Sequence, residues 1–432
     1  MKKKISNKYK VLGVIGLGYV GLPLSIEFVR SGYRTIGFDI DDKKIKMLKS
    51  GKTYIKHIGK NRVKKIIDSK IFEPTSDFRR INEVDAISIC VPTPIDSHRM
   101  PDISYVINST KEISKYMKNG ALVILESTTY PGTTREVLLP ILQKGNKKLD
   151  KDFYLVFSPE REDPGNKKFN TRNIPKVIGG VSKNSTKKAV DLYRTIFDKV
   201  VEVSSSEVAE ASKLLENTYR SINIALVNEL KVIFDKMGIN VWEVIEAAKT
   251  KPFGYTPFYP GSGLGGHCIP IDPFYLSWKA RESGINTRFI ELAGEINTSM
   301  PEYVVEKTIS ALNKYKKPLQ GSNILVIGVA YKKDIDDARE SPGIRIMEIM
   351  IEKGARVSYH DPYIPEIKGF RQTELIMKSI DLTDKLLSSQ DAVIISTAHS
   401  KVDYKKILKN SSLIIDTRNA FSGIKSDKII LA

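Results

Sequence analysis

The loop from Gly263 to Asp272 contains the residue types best suited to covalent chemistry. Glycines at positions 263, 265 and 266 let the backbone approach a ligand closely. Cys268 in such a loop is expected to be partly exposed, so its thiolate could act as a nucleophile. Asp272 follows four residues later and is within reach of the sulfur if the segment turns as a helix.

Two further residues are less suited to chemistry. Cys90 lies in an apolar strand pattern, which is typical of an inert core cysteine. His267 precedes Cys268, but neighbouring side chains point in different directions, so a structural role is favoured. Two cysteines cannot form a disulfide scaffold, and we expect a reducing, cytoplasmic compartment.

Lys213 and Asn217 are spaced i, i+4 in a helical pattern, so both lie on one face of the helix. A lysine and an amide on one face can bind a developing oxyanion. Spacing alone, however, favours the solvated face of a long charged helix.

The segment Gly16-Leu17-Gly18-Tyr19-Val20-Gly21 fits the dinucleotide-binding pattern G-x-G-x-x-G. A strand pattern precedes it and a helical pattern follows, so the helix N-terminus would face a pyrophosphate. Asp39 ends the next strand, 18 residues after Gly21 (39 − 21), where a carboxylate binds the adenosine ribose. This carboxylate favours NAD over NADP, although Lys43 and Lys44 lie near enough to weaken that preference.

Polar residues also follow two later strands. Glu126–Gly132 and Ser158–Arg161 each begin where an apolar run ends. In a doubly wound sheet, ligands bind beyond the carboxyl ends of the strands. We therefore expect these residues near the cofactor, with Glu160 able to position water or carry protons.

The elements that must position these residues alternate in type. Strand and helix patterns alternate in the first and last parts of the chain, which predicts two Rossmann-like doubly wound parallel sheets in an α/β fold. The middle part is helical: Glu207–Met237 has no proline or glycine, Val241–Lys249 is helical, and a further helix begins at Pro301. The predicted domains are 1–203, 204–318 and 319–432, and the long helix is a candidate dimerisation surface.

Composition excludes several classes of protein. Apolar residues make up 41% of the chain, as in ordinary globular proteins, and no run approaches the ~20 apolar residues of a membrane span. The net charge is +19, but the basic residues are dispersed and no nucleic-acid motif accompanies them. We therefore expect neither a membrane nor a nucleic acid as a partner, and no bound metal.

Taken together, the motifs resemble those of the UDP-glucose/GDP-mannose dehydrogenase family over nearly the whole chain. The resemblance rests on the opening Gly-Tyr-Val-Gly, Val91-Pro92-Thr93-Pro94, Glu126-Ser127-Thr128, Ser158-Pro159-Glu160-Arg161, Lys213-Leu214-Leu215-Glu216-Asn217, Gly265-Gly266-His267-Cys268 and Gly328-Val329-Ala330-Tyr331-Lys332-Lys333-Asp334. It implies an NAD-dependent, four-electron oxidation of a sugar nucleotide's primary alcohol to a carboxylate.

The resemblance also implies residue roles. Cys268 would form a thiohemiacetal and then a thioester, Lys213 and Asn217 would stabilise oxyanions, Asp272 would help proton transfer, and Glu160 and Thr128 would position water or the sugar. The implied cofactor contacts are Gly16, Gly18, Tyr19, Val20, Gly21, Asp39, Lys44, Thr93, Ser127 and Arg339. The implied UDP-sugar contacts are Arg161, Tyr255, Tyr259, Gly263, Lys332 and Arg418. Several family members carry a second glutamate where this chain has Pro164.

The stretch Ser158–Asn166, followed by Ile174–Gly180, most resembles the subgroup that acts on UDP-N-acetylglucosamine. UDP-N-acetylmannosamine and UDP-glucose are the alternatives, and a homodimer or higher homo-oligomer is expected. Two other classes remain open at this point. A two-electron hydroxyacid dehydrogenase would need neither the second α/β domain nor the cysteine, and a basic nucleic-acid-binding protein would show steep salt dependence.

Overall fold

The computed structural model describes residues 9–55, 58–96, 98, 100–162, 166, 168–266, 269–370 and 373–432, except the side chains of Lys60 and Phe370. The chain divides into two units. The first ends at Glu216 and also contains Phe274–Ile285, and the second consists of Asn217–Pro273 and Asn286–Ala432.

The first unit is built on one sheet. Its strands are β1 Val11–Ile15, β2 Arg34–Phe38, β3 Phe72–Thr75, β4 Ala86–Ile89, β5 Ala121–Leu125, β6 Phe153–Phe157, β7 Lys176–Gly180 and β8 Val200–Glu202. They pair in the order β3-β2-β1-β4-β5-β6-β7-β8. All neighbours are parallel except β6 and β7, which are antiparallel. The described residues between β6 and β7 contain no helix, and a helix is the usual crossover that returns a chain for parallel pairing.

Helices pack on both faces of this sheet. They are α1 Gly21–Arg30, α2 Asp42–Lys49, α3 Lys60–Asp68, α4 Ser104–Tyr116, α5 Leu139–Leu142 and α6 Lys183–Tyr193, with a 3₁₀ helix at Phe78–Glu83 and a π-helical segment at Thr133–Leu138. Successive side chains of β5 enter opposite cores: Leu122 and Ile124 pack in one, and Val123 and Leu125 in the other. Each such side chain contributes about 1.5–3 kcal/mol on burial, which explains why the strands are continuous apolar runs.

Four helices follow along the chain: α7 Ser206–Lys236, α8 Val241–Lys249, α9 Asp272–Glu282 and α10 Arg288–Lys314. The bounds of α7 and α8 match the predicted helices to within one residue. The predicted helical stretch from Pro301 to Tyr315 is confirmed as far as Lys314, but the helix α10 that contains it begins earlier, at Arg288, and continues through Pro301. Proline removes one backbone hydrogen bond, but Pro301, Val304 and Val305 are buried, and packing outweighs that local cost.

The second unit contains a smaller sheet. Its remaining elements are β9 Asn323–Ile327, α11 Pro342–Glu352, β10 Arg356–His360, β11 Glu366–Phe370, β12 Thr373–Lys378, α12 Asp384–Ser388, β13 Ala392–Ile395, α13 Tyr404–Asn410, β14 Ile414–Asp416 and β15 Ile429–Leu431. Five strands pair in parallel in the order β10-β9-β13-β14-β15, and β11 pairs with β12 antiparallel.

The predicted fold class is confirmed: Rossmann-like sheets occupy both ends of the chain, with helices between them in sequence. The domain bounds 1–203, 204–318 and 319–432 stay a prediction. Within the described ranges, no helix combines the length and apolar character that crossing a membrane requires.

Candidate active site

The glycine-rich turn joins β1 to α1, and two of its three glycines are packed too closely against backbone to carry a side chain. Gly16 has φ +88°, and a Cβ at this residue would lie 2.5 Å from the carbonyl oxygen of Cys90. Gly21 is the first residue of α1, and its added Cβ would lie 1.9 Å from the Gly16 oxygen. A Cβ on Gly18 would meet nothing within 4 Å, so this glycine borders open space. The turn therefore has room for a ligand at the helix N-terminus, as a pyrophosphate requires.

Asp39 lies at the end of β2 with its carboxylate fixed by the same turn. It accepts hydrogen bonds from the backbone N–H groups of Leu17 and Asp41, each at 3.0 Å, and Lys44 Nζ lies 3.4 Å from Oδ2. A carboxylate has about four acceptor positions, so capacity remains for ribose hydroxyls. Tyr54 donates a hydrogen bond to the Leu17 carbonyl, and no sequence pattern had indicated this tyrosine. These residues fit a dinucleotide.

Two predicted contacts follow the neighbouring strands β4 and β5. Thr93 and Ser127 are buried, and Ser127 Oγ donates to the Val91 carbonyl at 2.7 Å. Thr128 is half-buried in the same segment. Cys90, at the end of β4, is buried as expected, and burial raises the pKa of its thiol well above the usual value. It is therefore not a reactive thiolate.

Glu160 belongs to a buried ion cluster that spacing did not reveal. Lys176 Nζ lies 3.0 Å from Glu160 Oε2 and 2.5 Å from Glu126 Oε2, and Tyr193 donates to the other Glu126 oxygen. The one sequence signal was a lysine, Lys176, opening the otherwise apolar strand β7. Glu160 is thus held beside a cation at the carboxyl ends of β5 and β6.

Arg161 is already engaged within the first unit. Its guanidinium pairs with Glu216 at 2.7 Å and donates to the Pro175 carbonyl at 2.8 Å. These contacts orient the side chain, and a sugar nucleotide would have to share or displace them.

Lys213 and Asn217 are both buried on α7, with 9% and 4% of their surface exposed. The expectation of a solvated helix face is therefore wrong. One turn before Lys213, Glu210 accepts hydrogen bonds from the backbone N–H groups of Gly132 and Thr134. Such contacts bury this face of α7, and they come from residues more than 70 positions away, which helix periodicity cannot show.

Asn217 Nδ2 donates to Asp272 Oδ2 at 2.5 Å, and Asp272, the first residue of α9, is also buried. The structure therefore brings these two predicted residues together. Cys268 and its neighbour His267 lie outside the described residues, as does Pro164.

The glycines before the cysteine pack against the segment after β9. A Cβ on Gly265 would lie 2.7 Å from both Tyr331 Cβ and the Glu340 oxygen, and one on Gly266 would lie 2.8 Å from the Tyr331 ring. Gly266 N–H donates to the Arg339 carbonyl at 3.1 Å. The loop therefore needs residues without side chains at these two positions.

Arg418 lies beside the start of this loop. Its Nε donates to the Ser396 carbonyl at 2.7 Å, and a Cβ on Gly261 would lie 2.2 Å from its Nη1. Burial lowers the pKa of Arg418 to about 10. A guanidinium in such surroundings favours an anionic ligand.

The other predicted contacts of the second unit differ in their surroundings. Arg339 pairs with Asp337 at 2.6 Å, and Lys332 is half-buried. Tyr259 donates to Glu246 at 2.6 Å and stacks on Trp242. Tyr255 is exposed, and Gly263 has φ +130°.

The predicted residues thus fall into two sets. The first unit carries Gly16, Gly18, Tyr19, Val20, Gly21, Asp39, Lys44, Thr93, Ser127, Thr128, Glu160, Arg161 and Lys213, and the second carries Asn217, Tyr255, Tyr259, Gly263, Asp272, Lys332, Arg339 and Arg418. In the described part of the chain, no group of three or more His, Cys, Asp or Glu side chains could hold a metal ion.

Sequence models of one family match three consecutive regions. Residues 10–197 match the NAD binding domain of the UDP-glucose/GDP-mannose dehydrogenase family, 207–299 its central domain and 325–423 its UDP binding domain. The match over the first region agrees with the glycine turn and Asp39.

Individual proteins align along nearly all of the chain. A UDP-N-acetyl-D-mannosamine dehydrogenase of Methanococcus maripaludis is 34% identical over 97% of this chain and 95% of its own length. A UDP-N-acetyl-D-glucosamine 6-dehydrogenase of Pseudomonas aeruginosa is 34% identical over 96% and 98%. A solved structure of the UDP-N-acetylmannosamine dehydrogenase of Pyrococcus horikoshii superposes with a TM-score of 0.88, at 33% identity, over 96% of this chain and 97% of that one.

The glycine turn and the Asp39 carboxylate fit the cofactor that the first match implies, and the matches along the whole chain indicate the class of substrate. The chain therefore belongs to the UDP-glucose/GDP-mannose dehydrogenase family and is an NAD-dependent UDP-sugar dehydrogenase.

Proposed function

We propose that this enzyme oxidises the 6-hydroxymethyl group of UDP-N-acetylglucosamine to the carboxylate of UDP-N-acetylglucosaminuronate, a four-electron reaction that serves polysaccharide or glycan synthesis. The observation that carries the proposal is the buried Asn217–Asp272 pair, because Asp272 begins the helix that follows the cysteine loop. This pair supports the proposal because an amide can stabilise a developing oxyanion and a carboxylate beside it can move protons.

The chemistry requires two oxidations, each removing a hydride and a proton. NAD, held by the glycine turn and Asp39, would supply the hydride-accepting chemistry for both of them. Between them, the Cys268 thiolate adds to the aldehyde carbon to give a thiohemiacetal, and the second oxidation converts this adduct to a thioester. Water then attacks the thioester carbon, the carbon–sulfur bond breaks, and carboxylate and thiolate are released.

The chain's other residues then have defined tasks. Lys213 and the Asn217 amide would stabilise the negative oxygen that forms at each addition. Asp272 would fix the orientation of the Asn217 amide and relay protons. Glu160 would accept a proton from the attacking water, with Thr128 orienting the sugar or the water.

The choice of sugar rests on the sequence of the loop after β6. The Ser158–Asn166 stretch and the Ile174–Gly180 segment resemble the UDP-N-acetylglucosamine subgroup. Relatives named for the mannosamine sugar are 34% to 35% identical to this chain and those named for the glucosamine sugar 32% to 34%, so overall similarity does not separate them. UDP-N-acetylmannosamine and then UDP-glucose are the alternatives.

A two-electron hydroxyacid dehydrogenase is disfavoured by the second sheet. Such enzymes lack a C-terminal α/β domain, whereas β9, β10, β13, β14 and β15 form one here. The rival interpretation also gives no reason for a cysteine in the glycine loop.

We also propose a homodimer joined through α7. Apolar residues line one side of this helix at spacings of four and seven and are 44% to 67% exposed: Val208, Leu215, Tyr219, Leu226 and Ile233, with Met237 directly after the end of the helix. Such a stripe is the usual surface for helix pairing. Sedimentation equilibrium tests the proposed dimer, since Leu226→Lys would yield monomers.

The expected cytoplasmic location stays a prediction.

A substrate panel tests the proposed sugar. Purified protein is given NAD and, separately, UDP-N-acetylglucosamine, UDP-N-acetylmannosamine, UDP-galactose and UDP-glucose, and NADH formation is followed. We expect kcat/KM for UDP-N-acetylglucosamine to exceed that for UDP-glucose by roughly 100-fold or more, because a site that binds an acetamido group rejects a sugar lacking it. A clearly higher value for any other sugar would contradict the assignment.

A further inference from the structure

The ion cluster around Lys176 has a composition that stability alone does not explain. Lys176 is 3% exposed, and its ammonium contacts the Glu126 carboxylate at 2.5 Å and the Glu160 carboxylate at 3.0 Å. Two carboxyl groups and one ammonium are therefore buried together. Buried ion groups cost desolvation, and well-packed apolar residues stabilise a fold as well or better. A functional reason is therefore to be sought for this cluster.

The two carboxylates differ in their access to solvent. The Glu126 side chain is 0% exposed and also accepts a hydrogen bond from the Tyr193 hydroxyl, which lies 3.3 Å from Ser88 Oγ. The Glu160 side chain is 11% exposed. Glu160 is thus the member of the pair that a water molecule in the site could reach.

Glu160 has further contacts that favour its ionised form. Its Oε1 accepts hydrogen bonds from the backbone N–H groups of Arg161 at 2.7 Å and Glu162 at 2.8 Å. Its Oε2 faces the Lys176 ammonium. These three hydrogen-bond partners of the Glu160 carboxylate are all donors, and two of them are backbone N–H groups of the loop after β6.

Several titratable groups surround the cluster. Burial and Glu160 raise the pKa of Glu162 to about 7, and burial and Glu126 raise the pKa values of the Cys90 thiol and the Tyr193 hydroxyl. Burial works against ionisation of Glu160 too, but the Lys176 ammonium and its hydrogen bond hold the pKa of Glu160 below its usual value. Burial also raises the pKa of Glu126, and Arg62 acts in the opposite sense on Glu162, so Lys176 is the cation in direct contact with Glu160.

We propose that Lys176 is a positioning residue that keeps Glu160 anionic and aimed into the site, so that Glu160 can accept the proton of the hydrolytic water. Without the ammonium, two carboxylates would share one low-dielectric pocket, and one of them would take up a proton. The inference rests on the proposed role of Glu160 as proton acceptor.

The test is the pH dependence of kcat for Lys176→Met. We expect wild-type kcat to change little between pH 8 and pH 6. In the variant the pKa of Glu160 should rise, so kcat should fall roughly 10-fold between pH 8 and pH 6 as the basic form of the proton acceptor is depleted. Lys176→Arg, which keeps the charge, should restore the flat profile.

A second substitution separates electrostatics from packing. In Lys176→Met, adding Glu126→Gln removes the competing carboxylate, and the fall in kcat between pH 8 and pH 6 should shrink. If the cluster were merely structural, Lys176→Met would lower the urea midpoint while the pH profile kept its wild-type shape, and the inference would be overturned. If Lys176→Met does not fold, Lys176→Gln and the single variant Glu126→Gln carry the test. In Glu126→Gln alone, with Lys176 intact, kcat should stay as flat between pH 8 and pH 6 as in the wild type. A fall in kcat at a higher pH than in the wild type would contradict the proposal.

Failure of the underlying assignment has a separate signature. If Glu160→Gln keeps wild-type kcat at every pH, the proposed role of Glu160 is wrong. If Glu160→Gln is inactive and Lys176→Met still has the wild-type profile, the role of Glu160 stands and the role given to Lys176 is wrong.

Discussion

The turns after β1 and after β9 have the same construction but different uses. Gly16 has φ +88° and donates its N–H to the Phe38 carbonyl at 2.8 Å, while Gly328 has φ +81° and donates to His360 at 2.9 Å. In both turns the glycine follows the first strand of its sheet and bonds to the end of the second strand. The sequence distance from glycine to helix differs, since α1 begins at Gly21 and α11 at Pro342.

Each turn also has an aspartate at the end of its second strand. Asp39 receives two backbone N–H groups and lies near Lys44. Asp361 receives five donors: the backbone N–H groups of Val329, Ala330, Tyr363 and Ile364 and the imidazole of His399. His399 is 0% exposed, and its Nδ1 accepts the Asp334 N–H, so Nε2 carries the proton toward Asp361.

The comparison leads us to predict that a glycine turn and an aspartate are not enough to bind a ribose. The Asp39 carboxylate can still accept hydrogen bonds and lies beside a helix N-terminus, whereas the Asp361 carboxylate already accepts hydrogen bonds from five donors of its own domain. The regions match the NAD binding and UDP binding domains of the family, respectively. We therefore predict that the number of donors to the aspartate distinguishes a ligand site from a structural one.

The first test of this comparison has the largest expected effect and measures the free energy of unfolding. Asp361→Ala would leave four backbone N–H groups without their acceptor, and each stranded buried donor costs about 1–3 kcal/mol. We expect a loss of about 4 kcal/mol or more in the free energy of unfolding, measured by urea titration. Asp39→Ala, the matched control, strands two and should cost about half as much. Equal losses would contradict the distinction.

The two units also bury a lysine in different ways, and this gives the next largest effect. Lys176 faces two carboxylates, whereas the 3% exposed Lys231 has no hydrogen-bond acceptor for its Nζ in the described part of the chain. Burial and the nearby Arg418 lower the pKa of Lys231 to about 7. Lys231 also lies over the Tyr303 ring, with Asp416, Asp235 and Lys307 as further charged neighbours.

The sign of the pH dependence follows from this shift. Between pH 7 and the usual lysine value of 10.5, the unfolded chain binds more protons at this residue than the folded chain, so stability should rise with pH. Lys231→Met should stabilise the protein by up to a few kcal/mol at pH 7, and the gain should shrink toward pH 10. Thermal unfolding at both pH values, with the exposed Lys236→Met as control, measures this; a gain that is equal at both would refute it.

A smaller effect concerns cofactor choice. Asp39→Asn keeps the shape but removes the charge, which weakens hydrogen bonds to the ribose and removes the repulsion of a 2′-phosphate. Because a hydrogen bond to a charged group contributes about 1.5–3 kcal/mol, we expect NADH to bind roughly 10- to 100-fold more weakly. NADPH should lose less. Fluorescence titration gives the affinities for NADH and NADPH. An unchanged NADH affinity in Asp39→Asn would show that Asp39 does not bind the cofactor.

Sequence reasoning located the elements with strong local signals. Continuous apolar runs gave β1, β5 and β6, and an uninterrupted helical pattern gave α7. It missed the antiparallel pairing of β7 and the passage of α10 through Pro301, because both depend on tertiary packing.

Some residues of the candidate site could likewise be predicted from the sequence, and others could not. The glycine turn and Asp39 have fixed local spacing, and so could be recognised. Lys176 lies 16 and 50 residues from the two carboxylates it contacts, and His399 lies 38 residues from Asp361, so no local pattern connects them. The burial of Lys213 was missed for the same reason.

The most direct test of the account is the number of NADH molecules formed per UDP-N-acetylglucosamine consumed. Complete conversion of a limiting amount of the sugar nucleotide, with NADH read by absorbance and the product by mass spectrometry, gives this ratio. Oxidation to the carboxylate through Cys268 predicts two NADH per sugar nucleotide. The product should be about 14 mass units heavier than the substrate, because two hydrogens are lost and one oxygen is gained. A ratio of one, with an aldehyde or ketone as the end product, would contradict it.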